Sequence, residues 1–340
     1  MAKVITFGEI MLRLQTYRHQ RIIQATGFDA TFGGGEANVA VSLAQYGHEA
    51  HFVSKLPQNP VGELCVAELR KYGVDISDIT RGGERIGVYY VEKGASQRAS
   101  TVTYDRKNSA IAEATADDFD WDKIFDGAQW FHFTGITPAL SEGCAALCMD
   151  ALKAAKKHGV KVSCDLNFRK KLWSGETAGK VMAELMPYVD VCIANEEDAE
   201  KVFGIKASET DITGGELSDA GYKDVAKQLI DRFGFSHVAI TLRESLSASI
   251  NNWSALLYDG KEYYKSKKYH INIVDRVGGG DSFGGGLIYA MLENYSMQDT
   301  IEYAVAASCL KHSIEGDFNV VTVDEVKNLM KGDGSGRVQR

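Results

Sequence analysis

A run of glycines that ends at an acidic residue is the segment of the sequence best suited to chemistry. It reads DRVGGGDSFGGGLIYA over residues 275–290, and an apolar helical pattern follows Asp281 and continues to Leu292. Successive glycines allow backbone N–H groups to turn toward one point, and the positive end of the helix adds to their attraction for an anion. The segment therefore predicts an anion site formed by the amides of residues 278–280, with the Asp281 carboxylate beside it.

Asp281 also has a simpler interpretation as a helix N-cap, because its carboxylate can accept hydrogen bonds from the first free amides of a helix. Against a cap-only role stand three glycines at 284–286, each of which lowers helix stability by up to ~1 kcal/mol relative to alanine. These glycines indicate that something approaches the helix backbone closely. We therefore favour a functional Asp281 and keep the cap-only role as the alternative.

A second glycine run opens another helix near the start of the chain and reads TFGGGEANVAVSLAQYG over residues 31–47. A dinucleotide site is one alternative, but the spacing is not G-x-G-x-x-G. Glycine permits close approach to the backbone and asparagine offers both a donor and an acceptor, so a polyol-binding surface is the better interpretation. The candidate residues are Gly33, Gly34, Gly35 and Asn38.

Together the two segments resemble the two signatures of the ribokinase-like, or PfkB, family of carbohydrate kinases, and the resemblance extends from about Lys3 to about Met330. In that family the first signature lies along the sugar site, and the second, usually ending in G-A-G-D, carries an anion hole and a general base. The resemblance implies phosphorylation of a sugar hydroxyl by ATP with Mg²⁺, and it matches Asp281 to the base. The residues it assigns to the anion hole are Gly278, Gly279 and Gly280, where Gly279 replaces the usual alanine.

Residues 195–198 resemble the family's N-x-x-E motif, which is associated with magnesium and phosphate positioning. The fourth residue here is aspartate, so the resemblance implies an indirect role toward magnesium for either Glu197 or Asp198. The alternative is that these acidic residues only complement a helix N-terminus. The implied ATP contacts are Asn195, Thr241, Arg243, Gly278, Gly280 and Asp317, the last placed at either the nucleotide or the sugar end.

The segment DLNFRKKLW, residues 165–173, follows a buried type of strand. Asp165, Asn167 and Arg169 recur with period two, so we expect them to point the same way at the carboxyl end of the strand, where open α/β sheets bind ligands. An ion pair between Arg169 and Asp165 is the alternative for the arginine. The pattern occurs in both fructokinase-like and 2-keto-3-deoxygluconate kinase-like members of the family and does not separate them.

Two alternating segments, residues 12–32 and 84–106, interrupt the strand and helix rhythm and predict a small antiparallel lid sheet. Tyr104 and Arg106 lie on one lid strand, and Tyr89 or Tyr90 on its partner could share their face. A guanidinium beside phenols suits a substrate with a carboxylate, since a neutral hexose would leave the arginine charge unmatched. An exposed arginine that protects an edge strand is the alternative.

The combination of GVYYVEKG, YDR, DLNFRKKLW and KHSIEGDFN resembles 2-keto-3-deoxygluconate kinases within the family. It implies transfer of the γ-phosphoryl group of ATP to the carbon 6 hydroxyl of that sugar acid. The alternatives are a kinase of a neutral sugar such as fructose or ribose, a non-catalytic sugar-binding regulator and, least favoured, a nicotinamide-dependent oxidoreductase.

Short apolar runs alternate with amphipathic stretches along the chain, which predicts an α/β fold with a doubly wound, mainly parallel sheet. We expect the domain to span residues 1–330 and a flexible tail to span residues 331–340. Strands are expected at residues 4–7, 50–54, 130–134, 161–165, 189–194 and 237–241, and helices at 36–46, 61–72, 141–158, 179–187, 197–203 and 221–234.

The composition limits which partners and which cellular compartment are expected. The chain has 340 residues, 38 Lys and Arg against 46 Asp and Glu, and no block of one sign, so nucleic acid and anionic membrane are not expected partners. No apolar run approaches the ~20 residues that span a bilayer, and the first residues lack the pattern of a signal peptide. Six scattered cysteines fit buried cytoplasmic thiols.

The outer face of the lid has no obvious partner within one chain. It therefore predicts a homo-oligomer, such as a dimer through paired lids.

Overall fold

The structure, a computed structural model, describes residues 1–195, 197–206, 219–332 and 334. Its strands are β1 (Lys3–Phe7), β2 (Met11–Thr16), β3 (Phe28–Gly33), β4 (Glu49–Leu56), β5 (Ile79–Arg81), β6 (Gly87–Glu92), β7 (Thr101–Asp105), β8 (Trp130–Thr134), β9 (Lys161–Asp165), β10 (Val191–Asn195), β11 (His237–Ser245), β12 (Ile250–Tyr258), β13 (Tyr263–Lys265) and β14 (Tyr269–Asn272). Its helices are α1 (Gly35–Gln45), α2 (Pro60–Lys71), α3 (Trp121–Phe125), α4 (Glu142–Lys157), α5 (Gly175–Leu185), α6 (Asp198–Phe203), α7 (Asp219–Phe233), α8 (Gly279–Leu292), α9 (Met297–Lys311) and α10 (Val323–Met330).

Within the described ranges, ten strands form the main sheet in the order β13-β12-β11-β10-β9-β8-β1-β4-β5, with β14 beside β12. In this order, the seven neighbouring strands β11, β10, β9, β8, β1, β4 and β5 run parallel. Strand β12 is antiparallel to β11, β13 and β14. This arrangement confirms the mainly parallel sheet expected from the sequence. The loops after β1, β8, β9, β10 and β11 meet at one edge because parallel strands all end there.

Helices cover both faces of this sheet, and successive strand residues reach opposite layers. Val4 packs in the layer that contains α1, α8 and α9, while Ile5 packs in the layer that contains α4, α5 and α7. Val191 and Cys192 divide between the layers in the same way. Because both faces are buried, the strands read as continuous apolar runs rather than as alternating patterns.

Four strands form the separate small sheet, in the order β3-β2-β6-β7, which we call the lid sheet. Its two hairpin pairs are antiparallel, as expected, but β2 and β6 pair in parallel, with Arg13 opposite Tyr89. The sheet is tied to the main body just after the end of β6, where the Lys93 ammonium lies 2.6 Å from a Glu315 carboxylate oxygen. The lid predicted from residues 12–32 and 84–106 is therefore present.

The glycines at 284–286 serve helix packing. A Cβ on Gly285 would lie 2.7 Å from the Ser42 Cβ on α1, and one on Gly286 would lie 3.0 Å from the Ala304 Cα on α9. These glycines allow α8 to lie close to both neighbouring helices. The close approach inferred from the sequence is thus real, but the partners are α1 and α9, so these glycines do not argue for an anion site.

Five of the six cysteines are buried and Cys309 is half-buried, and all six are free thiols. In the part of the chain that the structure describes, no helix combines the length and the apolar character needed to cross a bilayer. The predicted tail lies outside the described residues except for 331, 332 and 334. Helices α9 and α10 and the antiparallel strands β12 to β14 were not expected from the sequence.

Candidate active site

A cavity of about 1660 Å³ lies between the lid sheet and the carboxyl edge of the main sheet. Every site residue singled out from the sequence lines it, except Tyr90. Residues more than 200 positions apart meet here because the strand ends share one edge and the lid faces it. The cavity is large enough for two small molecules side by side.

Tyr90 is the exception because its side chain points to the opposite face of the lid sheet. Its ring packs edge-to-face on Phe28, with ring centroids 6.0 Å apart. Tyr89 instead faces the cavity, directly opposite Tyr104 in the strand register, and the two rings stack at 6.0 Å. The inclusion of Tyr90 among substrate contacts is therefore wrong, because adjacent strand residues point to opposite faces.

Asp281 lies in the first turn of α8, and a hydrogen bond from Asn38 on α1 holds its carboxylate in place. The Asn38 Nδ2 donates to the Asp281 Oδ2 at 2.6 Å, while the Asn38 Oδ1 accepts from the Gly34 amide at 3.3 Å. Burial raises the pKa of Asp281 to about 6, nearby Asp317 adds to the increase, and the Asn38 hydrogen bond opposes it. The carboxyl group is thus positioned and close to half-ionised just below neutral pH.

The first turn of α8 offers amides without protein partners. The Gly278 backbone is left-handed, with φ 81°, and the first intrahelical bond runs from the Ser282 amide to the Gly278 carbonyl. Among the described residues, the amides of Gly278, Gly280 and Asp281 have no acceptor, whereas the Gly279 amide donates to the Arg276 carbonyl at 3.3 Å. Three free amides at a helix N-terminus form an anion site, but Gly279 contributes less than expected.

Gly279 has a structural reason to differ from the usual alanine. A Cβ at this position would lie 2.6 Å from the His312 ring, which packs against the Trp253 ring at a centroid distance of 5.4 Å. Gly280 is different, since a Cβ there would meet nothing within 4 Å and would project into open space. The loop is therefore closely packed at 279 and open at 280.

Asp198, rather than Glu197, is the acidic residue held in place at the end of β10. Its two carboxylate oxygens accept from the Phe168 amide at 3.2 Å and the Asn195 amide at 3.3 Å. Glu197 is exposed and forms an ion pair with Lys201. The Asn195 side chain accepts from the amides of both acidic residues and so begins α6. Glu196 lies outside the described residues.

Asp165, Asn167 and Arg169 all line the cavity, but for a different reason than strand alternation. Strand β9 ends at Asp165, and Asn167 adopts a left-handed φ of 39°, so the chain turns there. The Arg169 guanidinium donates to the Phe168 carbonyl at 3.5 Å, and no carboxylate of the described residues forms an ion pair with it. Burial raises the pKa of Asp165 well above its usual value, and Asp198 and Asp281 add to that shift. The expected alternative, an Arg169–Asp165 ion pair, is absent from the described residues.

Arg106 has a partner within the protein that the sequence did not reveal. Its Nε donates to the Glu9 Oε2 at 2.7 Å, its Nη2 contacts the same oxygen, and its guanidinium lies 5.3 Å from the centre of the Tyr104 ring. Glu9 is buried and also accepts from the Ser109 hydroxyl at 2.6 Å. The inference that a neutral sugar would leave Arg106 unmatched is therefore wrong, although one guanidinium nitrogen remains for a ligand.

Asp317 belongs to a buried ionic network beneath the cavity. It forms an ion pair with Arg13, which also lies 2.5 Å from Asp275, and it accepts from the Tyr89 hydroxyl at 2.6 Å. Burial alone would lower the pKa of Arg13, but Asp317 and Asp275 raise it above its ordinary value. Gly33 packs so closely on Asp317 that a Cβ would overlap the carboxylate. The network joins the lid strands to the loop that precedes α8.

Thr241 and Arg243 lie on β11, which extends four residues beyond the expected end of the strand, to Ser245. Thr241 pairs with Asn195 on one side and Ala255 on the other, and both Thr241 and Arg243 line the cavity. The antiparallel strand β12, which was not anticipated, allows β11 to continue past the sheet edge. Arg243 is thereby placed at the cavity wall.

Glu36 is a cavity residue that sequence reasoning missed, although it lies within the glycine segment that opens α1. Its Oε1 accepts from the Thr134 amide at 2.9 Å, the Thr134 hydroxyl at 2.8 Å and the Thr137 hydroxyl at 2.6 Å. Burial raises its pKa to about 7. The side chain fixes the start of α1, and hence Asn38, against the end of β8.

An α/β sheet with a lid, an aspartate beside free helix amides and a cavity for two ligands defines an enzyme architecture suited to group transfer onto a small molecule. The profile of the pfkB family carbohydrate kinases matches residues 1–319, and the chain belongs to that family. It is 33% identical to a 2-dehydro-3-deoxygalactonokinase of Haloferax volcanii over 98% of both chains, and 27% identical to a 5-dehydro-2-deoxygluconokinase of Clostridium perfringens over 92% of this chain and 88% of that one. The crystal structure of a 2-dehydro-3-deoxygluconokinase from Thermotoga maritima is similar with a TM-score of 0.94 and 52% identity, covering 97% of this chain and 98% of that one.

Proposed function

We propose that this chain transfers the γ-phosphoryl group of ATP to the carbon 6 hydroxyl of 2-keto-3-deoxygluconate. The observation that carries the proposal is the Asp281 carboxylate, held by Asn38 beside the free amides of α8. The same cavity contains Tyr104 on the lid and an Arg169 guanidinium without an ion-pair partner among the described residues. The names of the Thermotoga and Haloferax relatives support a sugar acid as the acceptor.

In the proposed reaction the carbon 6 oxygen attacks the γ-phosphorus, and the bond from that phosphorus to the β–γ bridging oxygen breaks. ADP leaves with that oxygen, and the hydroxyl proton passes to Asp281. Since Asn38 occupies the Asp281 Oδ2, the Oδ1 is available to accept this proton. The free amides of Gly278, Gly280 and Asp281 would hold the charge on the phosphoryl oxygens.

The chemistry of the oxygen donors near α6 fits a magnesium ion held indirectly. Asp165 lies at the end of β9 and Asp198 just after the adjacent strand β10. Burial, with Asp198 and Asp281 nearby, raises the pKa of Asp165, and a cation between these carboxyl groups would favour their ionised forms. Within the described ranges, no three His, Cys, Asp or Glu side chains form a cluster that could hold a metal ion. We infer an indirect role toward magnesium, through water, for Asp198, which two backbone amides hold in place, rather than for the exposed Glu197. Magnesium bound with ATP would neutralise charge on the phosphates.

A coupled ADP-release assay tests the proposal across 2-keto-3-deoxygluconate, its galactonate epimer, 5-keto-2-deoxygluconate, fructose and ribose. We expect the first substrate to exceed fructose in kcat/KM by roughly 10- to 100-fold, the worth of one charged contact to its carboxylate. Higher kcat/KM for fructose or ribose would favour the neutral-sugar alternative. ADP release with none of the sugars would favour a non-catalytic regulator.

Replacing Arg106 tests how the acceptor carboxylate is recognised. Because Arg106→Ala alone would leave the buried Glu9 unpaired, the informative variant is the double change Arg106→Ala with Glu9→Gln. We expect KM for the sugar acid to rise by roughly 10- to 100-fold, since a charge-assisted contact is lost. KM for fructose should change little. Arg85→Ala, which removes an exposed ion pair with Asp105 on the same lid end, is the control. An equal change in KM for both sugars would contradict the assignment.

Gly280→Ala separates folding from phosphoryl binding. A Cβ at 280 meets no protein atom within 4 Å, and alanine favours a helix by up to ~1 kcal/mol, so the melting temperature should stay the same or rise. We expect kcat/KM to fall by at least ~10-fold, because the methyl group would stand where the phosphoryl oxygens approach the free amides. Gly284→Ala, one turn later in α8 and in ordinary packing contact, is the matched control. Full activity of Gly280→Ala would contradict the anion hole.

The proposed assembly and compartment rest on other features. Exposed apolar residues at the lid tip, among them Ile22 and Ile23, support the proposal that lids pair in a homo-oligomer. Use of ATP and six free thiols support a cytoplasmic location. Size-exclusion chromatography with light scattering tests the first of these proposals.

A further inference from the structure

Arg276 lines the cavity two residues before the left-handed Gly278 that begins α8. Its neighbour Asp275 is already engaged by Arg13, at 2.5 Å, and by the amides of Val277 and Gly316. The Asp275 carboxylate is thus held beneath the loop rather than paired with Arg276. The arginine stands beside the anion hole without a carboxylate partner among the described residues.

The Arg276 side chain is only partly satisfied by the protein. Its Nη2 donates to the Ala248 carbonyl at 2.9 Å, while its buried Nε has no partner in the described part of the chain. A buried donor without an acceptor is costly and rare in folded proteins. The Arg276 Nη1 also has no acceptor among the described residues and, unlike the enclosed Nε, it is free to donate to a ligand in the cavity.

A second guanidinium, that of Arg243, lines the same cavity. Arg243 is opposite Trp253 in the strand register, and Trp253 packs on His312 beside Gly279 at the start of α8. Burial lowers the pKa of Arg276, and the positive charge of Arg243 lowers it further. Burial lowers the pKa of His312 to about 4, and Lys311, Arg276 and Arg243 contribute to that shift as well. Cations gathered around a helix N-terminus, with repulsion among them, match an anion that carries several charges.

We propose that Arg276 and Arg243 together bind the triphosphate of the nucleotide. The proposal rests on the proposed function and extends it to a residue of the second glycine segment to which the resemblance assigned no role. The sugar carboxylate is the less suitable anion here. Arg276 donates to Ala248 in the β11–β12 turn, which contacts Ser96 in the β6–β7 turn of the lid, whereas Arg106 lies at the opposite end of β7 beside Glu9. A guanidinium is suited to this task because its planar fork can donate to two phosphate oxygens at once.

The test measures dissociation constants by calorimetry for ATP, ADP, AMP and adenosine in the presence of Mg²⁺. For Arg276→Met we expect ATP to bind roughly 10- to 100-fold more weakly, the loss of one charge-assisted contact, with a smaller loss for ADP and changes within about twofold for AMP and adenosine. KM for the sugar acid should stay within about twofold. Arg276→Lys should recover part of the ATP affinity, because it keeps the charge but not the fork.

The control is Arg232→Met, which also removes a guanidinium that donates to a backbone carbonyl, that of Phe203, but Arg232 is exposed and does not line the cavity. Equal losses for ATP and adenosine in Arg276→Met would mean that the arginine only braces the turn at Ala248, and would overturn the proposal. A rise in KM for the sugar acid alone would overturn it too. Unchanged ATP affinity in Arg276→Met would overturn this inference alone, whereas a wild-type chain that binds no nucleotide would overturn the proposed function.

Discussion

Asp281→Asn should lower kcat by about 10²- to 10⁴-fold, which is the usual contribution of a positioned general base. This corresponds to roughly 3 to 5 kcal/mol of the activation barrier. Asparagine has nearly the same shape, and its side-chain oxygen can still accept from the Asn38 Nδ2, so the site should keep its geometry. Dissociation constants for ATP and the sugar acid should therefore change by less than about threefold. Single-turnover rates and calorimetry on the same variant separate the two effects.

The pH profile provides an independent measurement of the same group. A base must be deprotonated to accept the hydroxyl proton, and burial raises the pKa of Asp281 to about 6. Activity should therefore be near its plateau above pH 7 and fall as pH decreases through about 6. Asn38→Ala removes a hydrogen bond that lowers this pKa, so its acid limb should shift to higher pH. The acid limb should be lost in Asp281→Asn.

Asp122→Asn is the control for the change of a carboxylate to an amide, since Asp122 is exposed on α3 and contacts Lys157 and His158 away from the cavity. It should retain wild-type kcat. If Asp281→Asn kept more than about a tenth of the wild-type kcat, Asp281 would not be the base. The cap-only role would then explain its position at the start of α8.

The sequence was informative wherever function depends on neighbours along the chain. The left-handed Gly278, the free amides after it and Asp281 lie within four residues, so their spacing alone predicted an anion site beside a carboxylate. The sequence placed Asp165 at the carboxyl end of a buried strand, and parallel pairing brings that end beside those of Asn195 and Thr241. The spacing of site residues and the apolar runs of buried strands both lie within short segments, so a single sequence is enough to predict them.

Contacts between distant segments could not be predicted in this way. Arg13 meets Asp275 and Asp317 across 262 and 304 residues, and nothing in the spacing of these three indicates that they pair. The choice between Tyr89 and Tyr90 depended on the lid register, which shifts every side chain to the other face when it slips by one residue. Glu9 follows a buried strand and lies in no recognisable motif, so nothing in the sequence predicted its ion pair with Arg106.

Arg13→Met should lower the free energy of unfolding by about 3 to 5 kcal/mol, the usual cost of removing one partner from a buried ionic group. The arginine side chain is 1% exposed, and its two carboxylate partners are 2% and 4% exposed. Without the guanidinium, Asp275 and Asp317 would remain buried near each other with incomplete compensation. Arg13→Lys should lose less, because it keeps the charge but cannot donate to Asp275, Asp317 and Gln15 together. Urea unfolding followed by circular dichroism measures both variants.

A triple variant, Arg13→Met with Asp275→Asn and Asp317→Asn, distinguishes charge from volume. If the loss in Arg13→Met comes from uncompensated carboxylates, removing both charges should restore a large part of the stability, since neutral replacements of buried ion pairs are often well tolerated. If the loss comes from the cavity left by the long side chain, the triple variant should be no more stable than Arg13→Met. The first outcome would show that charge compensation is the role of Arg13 on β2. Its partner Asp275 also accepts from the Val277 and Gly316 amides, so the same ion pair links β2 to the loop that presents the free amides.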